Sequence, residues 1–198
     1  QAAALVAEAA ETAGTSSGLM VSYVDAAGTV ALTNCDTDGD CHATEASGYQ
    51  IGGIVGQVCY TDSITFSGCT NNADLSGTGA IGGIVGQLGA ATSNAVFTGC
   101  VNTGAITVTG GAKYAGGLVG YKNMGGGVTG LSMTFTDCHN SRDVLGGVAG
   151  AMLGGFIGFS NGTEASFIRC GNSGAIGDAT YLAARAAGFI AIDNSTTD

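Results

Sequence analysis

The sequence predicts an all-β fold, a parallel β-solenoid (β-helix) of about five coils with a short N-terminal α-helix. Three observations predict it: a unit that recurs along the chain, period-two alternation inside that unit, and 37 glycines with no proline in 198 residues. A unit of two or three short strands cannot bury one face alone, whereas stacking each unit on the next gives parallel ladders around a continuous core.

The chain opens on Ala2 to Ala13, rich in Ala and Glu with Leu5 and Val6 on one face, which reads as a helix that Gly14 can end. Residues 1–18 are therefore expected to cap the first coil or to contact a neighbouring subunit. The same segment has no basic n-region, and Glu8 and Glu11 interrupt its apolar stretch, so no signal peptide is read there and the chain looks processed or excised.

Residues 19–198 read as one solenoid domain. The first recurrent block is a pair of glycines, two apolar residues and a third glycine: Gly52-Gly53-Ile54-Val55-Gly56, Gly82-Gly83-Ile84-Val85-Gly86 and Gly116-Gly117-Leu118-Val119-Gly120. Gly146-Gly147-Val148-Ala149-Gly150 is read as a fourth copy and Ala187-Gly188-Phe189-Ile190-Ala191 as a decayed fifth. Gly53, Gly83, Gly117 and Gly147 are the expected turn glycines, because a tight reversal needs positive φ or close backbone approach.

The second block places an aromatic residue three before a cysteine and an asparagine two after it: Phe66/Cys69/Asn71, Phe97/Cys100/Asn102, Phe135/Cys138/Asn140 and Phe167/Cys170/Asn172. Leu32/Cys35 is an earlier copy without the asparagine. An apolar residue follows six past each cysteine, at Leu75, Ile106, Val144 and Ile176, with Cys41 in that place in the first copy. The cysteines are 34, 31, 38 and 32 residues apart. The repeats then fall near 20–48, 49–79, 80–112, 113–144 and 145–185, with a partial coil at 186–198. Ser63-Ile64-Thr65-Phe66 and Ala105-Ile106-Thr107-Val108 alternate polar with apolar, so the repeated element is strand. Proline would remove a ladder donor in every coil, and there is none.

The Gly-Gly-Ile-Val-Gly block resembles the GLUG repeat, a glycine-rich motif found in tandem in large secreted and surface proteins of microbes. The resemblance covers roughly Tyr49 to Ala191. It implies an extracellular or cell-surface repeat module and names no substrate and no catalytic residue.

Candidate sites divide into interior files and surface groups. Cys35, Cys69, Cys100, Cys138 and Cys170 share one repeat position and are expected to stack as buried thiols. Local bridges between Cys35 and Cys41, or Cys59 and Cys69, are the alternative in an oxidising compartment. Asn71, Asn102, Asn140 and Asn172 are expected to form an amide ladder at a shared corner. Asp36, Asp38 and Asp40 alternate with Glu45 nearby, which reads as a solvated acidic loop and is the place to look for calcium if a metal binds, although the spacing departs from an EF-hand. Asn161 and Asn194 head glycosylation acceptor triplets. His42 and His139 are the only histidines, and no Cys-x-x-Cys pair suggests zinc.

No catalytic residues are read. Lys113, Lys122, Arg142, Arg169 and Arg185 are scattered, no Ser-His-Asp or Cys-His group stands out, and no cofactor is expected beyond that calcium. Fifteen acidic against five basic residues disfavour nucleic acid, and no apolar run approaches the roughly 18–20 residues of a membrane helix. A positive mean hydropathy with few charges favours contact with copies of itself. Thr107-Val108-Thr109 and Thr134-Phe135-Thr136 match local ice-binding arrays, but they occupy different places in the repeat, so no continuous threonine file is expected. The expected role is a structural subunit of an extracellular filament, assembling head to tail, with a glycan-binding surface adhesin module as the alternative.

Overall fold

The computed structural model describes residues 16–25, 28–39, 41–42, 50–110, 114–122, 132–161, 164–177 and 185–191. It is a parallel β-solenoid. Every strand pair among these residues is parallel, and like positions of successive repeats lie side by side: Gly52, Gly82, Gly116 and Gly154 on one ladder, Phe66, Phe97, Phe135 and Phe167 on another.

Each turn has five sides. In the second turn they are Gln50–Gly52, the two halves of the long strand Val55–Ser67, Thr70–Asn71 and Leu75–Gly77. The third turn repeats this with Ala80–Gly82, Val85–Thr98, Val101–Asn102 and Ile106–Val108. In the fourth turn the long strand is split into Val119–Lys122 and Ser132–Thr136. Four turns carry strand on every side. A fifth, beginning at Met152–Gly154, closes its last side with a single bridge between Val144 and Ile176, and Arg185–Ala187 starts another level.

Two expectations change here. Ser16–Gly18 is already strand, pairing with Gln50–Gly52, so the solenoid starts within the segment assigned to the helix; the rest of that helix lies outside the described residues. The glycine block at Gly146–Gly150 is not the fourth copy. Val144–Gly146 continues the fifth side by pairing with Ile106–Val108, and it is Met152–Gly154 that pairs with Tyr114–Gly116. The fourth copy is therefore Gly154-Gly155-Phe156-Ile157-Gly158, Gly155 takes the place expected for Gly147, and the fifth turn begins at Met152 instead of near 145. The fifth copy, at Ala187, aligns as expected, with Ile190 bridging Ile157.

The glycines do not make a simple outer corner. They make an arch that folds into the molecule, with side one and side two backing directly onto each other. A Cβ on Gly86 would lie 2.6 Å from Gly56 O and from Ile51 N, closer than any side chain tolerates. None of Gly53, Gly83 or Gly117 has positive φ, so close approach and not handedness selects glycine there. At the apex, a Cβ on Gly83 would lie 2.5 Å from Asn102 Oδ1, and one on Gly117 would lie 2.5 Å from Asn140 Cγ. The two sequence blocks meet at this point: the glycine apex of each turn rests on its asparagine.

The arch divides the interior into two cores. Sides two to four enclose Val55, Ile64, Phe66, Cys69 and their counterparts, while sides one and five enclose Ile51, Leu75, Ile81, Ile106, Val144 and Leu153. Phe66, Phe97, Phe135 and Phe167 form a file with centroids 4.9, 4.6 and 5.1 Å apart and planes within 10°. Parallel, in-register strands impose that stacking, and each ring is held at the distance of a favourable offset pair.

The bend into side four is left-handed in every turn. The residue before each cysteine, Asn34, Gly68, Gly99, Asp137 or Arg169, has φ between 51° and 62°. Asn, Asp and Gly enter this region most cheaply. Arg169 does so beside Asp137, which accepts from its Nε and Nη2 at 2.6 and 2.7 Å.

Candidate functional site

Two files of side chains run the length of the interior, and both follow from the register. Asn71, Asn102 and Asn140 are fully buried on side four. Each Nδ2 donates to the Oδ1 one turn on: Asn71 to Asn102 at 2.8 Å, Asn102 to Asn140 at 2.8 Å and Asn140 to Asn172 at 2.7 Å. The second proton of each goes to a carbonyl two residues ahead, Ala73, Gly104, Arg142 or Gly174. Thr37 holds this position in the first turn and donates its hydroxyl to Asn71 Oδ1 at 2.9 Å. Every amide donor therefore points the same way along the axis.

Cys35, Cys69, Cys100, Cys138 and Cys170 form the second file, all as free thiols. Cys69, Cys100 and Cys138 are buried, and the end members are half-exposed. From Cys69 onward each sulfur lies near a carbonyl of the turn below, as with Cys100 to Phe66 O at 3.4 Å and Cys170 to Phe135 O at 3.3 Å. Contact along the file draws Cys69 and Cys138 down from the ordinary thiol range, and Cys100, between them, is pushed up. Cys59 is also free, so neither the Cys59–Cys69 nor the Cys35–Cys41 bridge forms. Cys35 and Cys69 point into the core, while Cys59 follows the inward Val58 on side two and is part-exposed. The side chain of Cys41 lies outside the described residues; its backbone pairs with Leu75, the register expected for it.

On the outside, side three carries a hydroxyl-rich grid. One file reads Thr33, Ser67, Thr98, Thr136, Ile168, and the file beside it Ala31, Thr65, Val96, Thr134, Ser166. As expected, no continuous threonine file forms: Ser67 and Ile168 interrupt the first file, and Ala31 and Val96 the second. Thr107 belongs to side five, but Thr134 and Thr136 fall in line with Thr and Ser of the neighbouring turns because the Phe between them fixes the same inward residue each time. At the mouth of the arch, Tyr114, Tyr121 and Phe159 cluster with centroids 5.0 to 5.3 Å apart, and Tyr23 is exposed on the same side.

Of the acidic loop, Asp36 is exposed on side four and Asp38 in the bend after it, while Asp40 and Glu45 lie outside the described residues. No group of three His, Cys, Asp or Glu side chains placed to hold a metal occurs among the described residues. Asn161 follows the strand Ile157–Ser160 and is half-buried, donating its backbone N–H to Lys122 O at 3.2 Å; Asn194 lies outside the described residues. His139 lies on side four with Nε2 3.1 Å from Ser173 Oγ, away from the inward Cys138.

Lys122 was legible only as a scattered cation. It is in fact 1% exposed, standing in the file of Val58 and Leu88. Its Nζ donates to Gly89 O and Thr92 O at 2.8 and 2.9 Å, and burial draws its pKa down to about 8. The sequence signal was positional: Val119 lies three residues before it, as Val55 and Val85 lie before Val58 and Leu88.

No family model matches the chain, so the GLUG resemblance rests on its motif residues, and no solved structure matches either. The chain is similar to a stretch of Halomucin from Haloquadratum walsbyi (strain DSM 16790 / HBSQ001), 30% identical over an alignment 176 residues long that covers 83% of this chain. The chain spans 2% of the length of that relative.

Proposed function

We propose that this chain is a structural β-solenoid module of an extracellular or cell-surface protein, and that it extends by stacking its end turns head to tail with copies of itself. The observation that carries the reading is the one-way amide file. Thr37 begins it with a hydroxyl whose oxygen can accept, and Asn172 ends it with an amide that bonds Gly174 O and has no amide above it among the described residues. Opposite ends thus offer complementary groups, and a contact between unlike ends generates an open filament when its rotation does not close. Phe189, 37% exposed and stacked on Phe156, adds apolar surface to the same end. Similarity to a stretch of a much longer protein named as a mucin supports a repetitive, extracellular setting.

Electron microscopy of the purified chain across a dilution and salt series tests this. Filaments with a repeat near the height of five levels, about 24 Å at roughly 4.8 Å each, are expected, and Phe189→Asp should disperse them. Monomers at tens of micromolar would overturn self-stacking.

The hydroxyl grid of side three favours a second reading, an adhesin module that binds glycan. Binding to immobilised polysaccharides that Thr98→Val and Thr136→Val abolish would favour it over the filament.

A further inference from the structure

We propose that the cysteine file is a binding channel for monovalent soft metal cations, copper(I) or silver(I), held one in each of the four gaps between five sulfurs. The ladder fixes the geometry. Residues on both sides of the cysteines pair in register, Ser67 with Thr98 and Thr70 with Val101, so the cysteines of adjacent turns are about 4.8 Å apart. Their side chains leave the ladder parallel, which keeps the Cβ atoms at about that spacing, whereas a disulfide needs about 3.8 Å. The fold thus resists pairing these thiols and leaves all five free. Two bonds of about 2.3 Å, the length zinc makes to thiolate, laid end to end span about 4.6 Å. A linear sulfur–metal–sulfur unit therefore fits the gap with almost no movement of the backbone.

Coordination chemistry selects the ion. Thiolate is a soft ligand that favours copper(I) among the available metals. Among the described residues no third or fourth protein ligand is grouped with the cysteines, which excludes a tetrahedral zinc site there and leaves two-coordinate metal. Charge selects the stoichiometry. The file is enclosed by Phe66, Phe97, Phe135 and aliphatic side chains, where net charge is costly. Four cations binding five thiols with release of four protons give a neutral array: three sulfurs bridge two metals each and the two end sulfurs hold one each, four of the five being thiolate and one still a thiol, with no change of oxidation state. The half-exposed Cys35 and Cys170 are the points of entry.

The reference protein for the test is the full chain with Cys41→Ser and Cys59→Ser, which leaves only the file. Titration with silver(I), read by native mass spectrometry, is expected to stop at four ions, each added with loss of one proton. Adding Cys100→Ser cuts the file and leaves two separate gaps, so uptake should fall from four ions to two while far-UV circular dichroism is unchanged. Uptake of one ion or none by the reference protein, or three or more in the cut variant, would overturn the proposal. X-ray absorption of the loaded reference protein needs no cut variant: two sulfur neighbours per metal are expected, and a shell containing nitrogen or oxygen, or more than two sulfurs, would overturn it.

Discussion

Replacing Asn102 with alanine should cost more than deleting any one hydrophobic side chain near it. Asn102 makes three side-chain hydrogen bonds: it accepts from Asn71 Nδ2 and donates to Asn140 Oδ1 and Gly104 O. All are enclosed, and the residue is 0% exposed. Alanine leaves one donor and two acceptors without partners, each worth about 1–3 kcal/mol, or roughly 3–9 kcal/mol together. Thr37→Val removes a single bond at the end of the same file and should cost about 1–3 kcal/mol. Asn102→Asp separates hydrogen bonding from packing. Its carboxylate would face two acceptors, so its pKa in the fold would rise above the ordinary value near 4. Such a group is protonated in both states at low pH, and the penalty appears as pH climbs past the unfolded value. Urea unfolding followed by circular dichroism at pH 3.5 and pH 7 measures all three. A loss below about 1 kcal/mol for Asn102→Ala, or an Asp variant indifferent to pH, would refute the reasoning.

The remaining predictions use the same unfolding measurement or its thermal counterpart. Gly86→Ala should prevent the arch from closing, because its Cβ meets backbone at 2.6 Å, whereas Gly99→Ala meets nothing within 4 Å and pays only for positive φ, about 1–2 kcal/mol. Lys122→Met should stabilise the fold at neutral pH by up to about 3 kcal/mol, the equivalent of its depressed pKa. In the native sequence the cost of burying the ammonium is full below about pH 8 and vanishes as pH rises from there into the ordinary lysine range, so stability should climb over that interval and stay flat in the methionine variant. Phe97→Ala opens a gap between two stacked rings and should cost about 3–5 kcal/mol.

The fold class was legible because its determinants are local and repeated: the aromatic, the cysteine, the asparagine and the later apolar residue keep fixed offsets in each turn. The parts that were not legible depend on which elements touch. Two glycine blocks eight residues apart fit the same pattern, and only pairing of Met152 with Tyr114 shows that Gly154–Gly158 forms the arch. The arch itself needs Gly52 to face Gly86 of the following turn, a relation between repeats that no single repeat displays. Lys122 reads as a surface residue until the carbonyls of Gly89 and Thr92 are seen to receive it. The hydroxyl grid was hidden for a similar reason, since Thr33, Ser67 and Thr98 are unremarkable alone and form a file only when side three is stacked.

The register also shows where this architecture tolerates change. From each arch to the strand that follows it, and from each cysteine through its asparagine to the next apolar position, the spacing never varies between turns. Between side two and side three it does: five residues from Val58 to Ser63, six from Leu88 to Asn94, ten from Lys122 to Ser132 and four from Ser160 to Glu164. The junction from side five to side one varies as well, three residues from Gly77 to Ala80 and six from Val108 to Tyr114. Insertions are thus confined to two seams that run parallel to the axis. A new segment can be spliced into either seam at any level without altering the load path through the interior, so lineages of such proteins can diversify their flanks while the rod between them keeps one design.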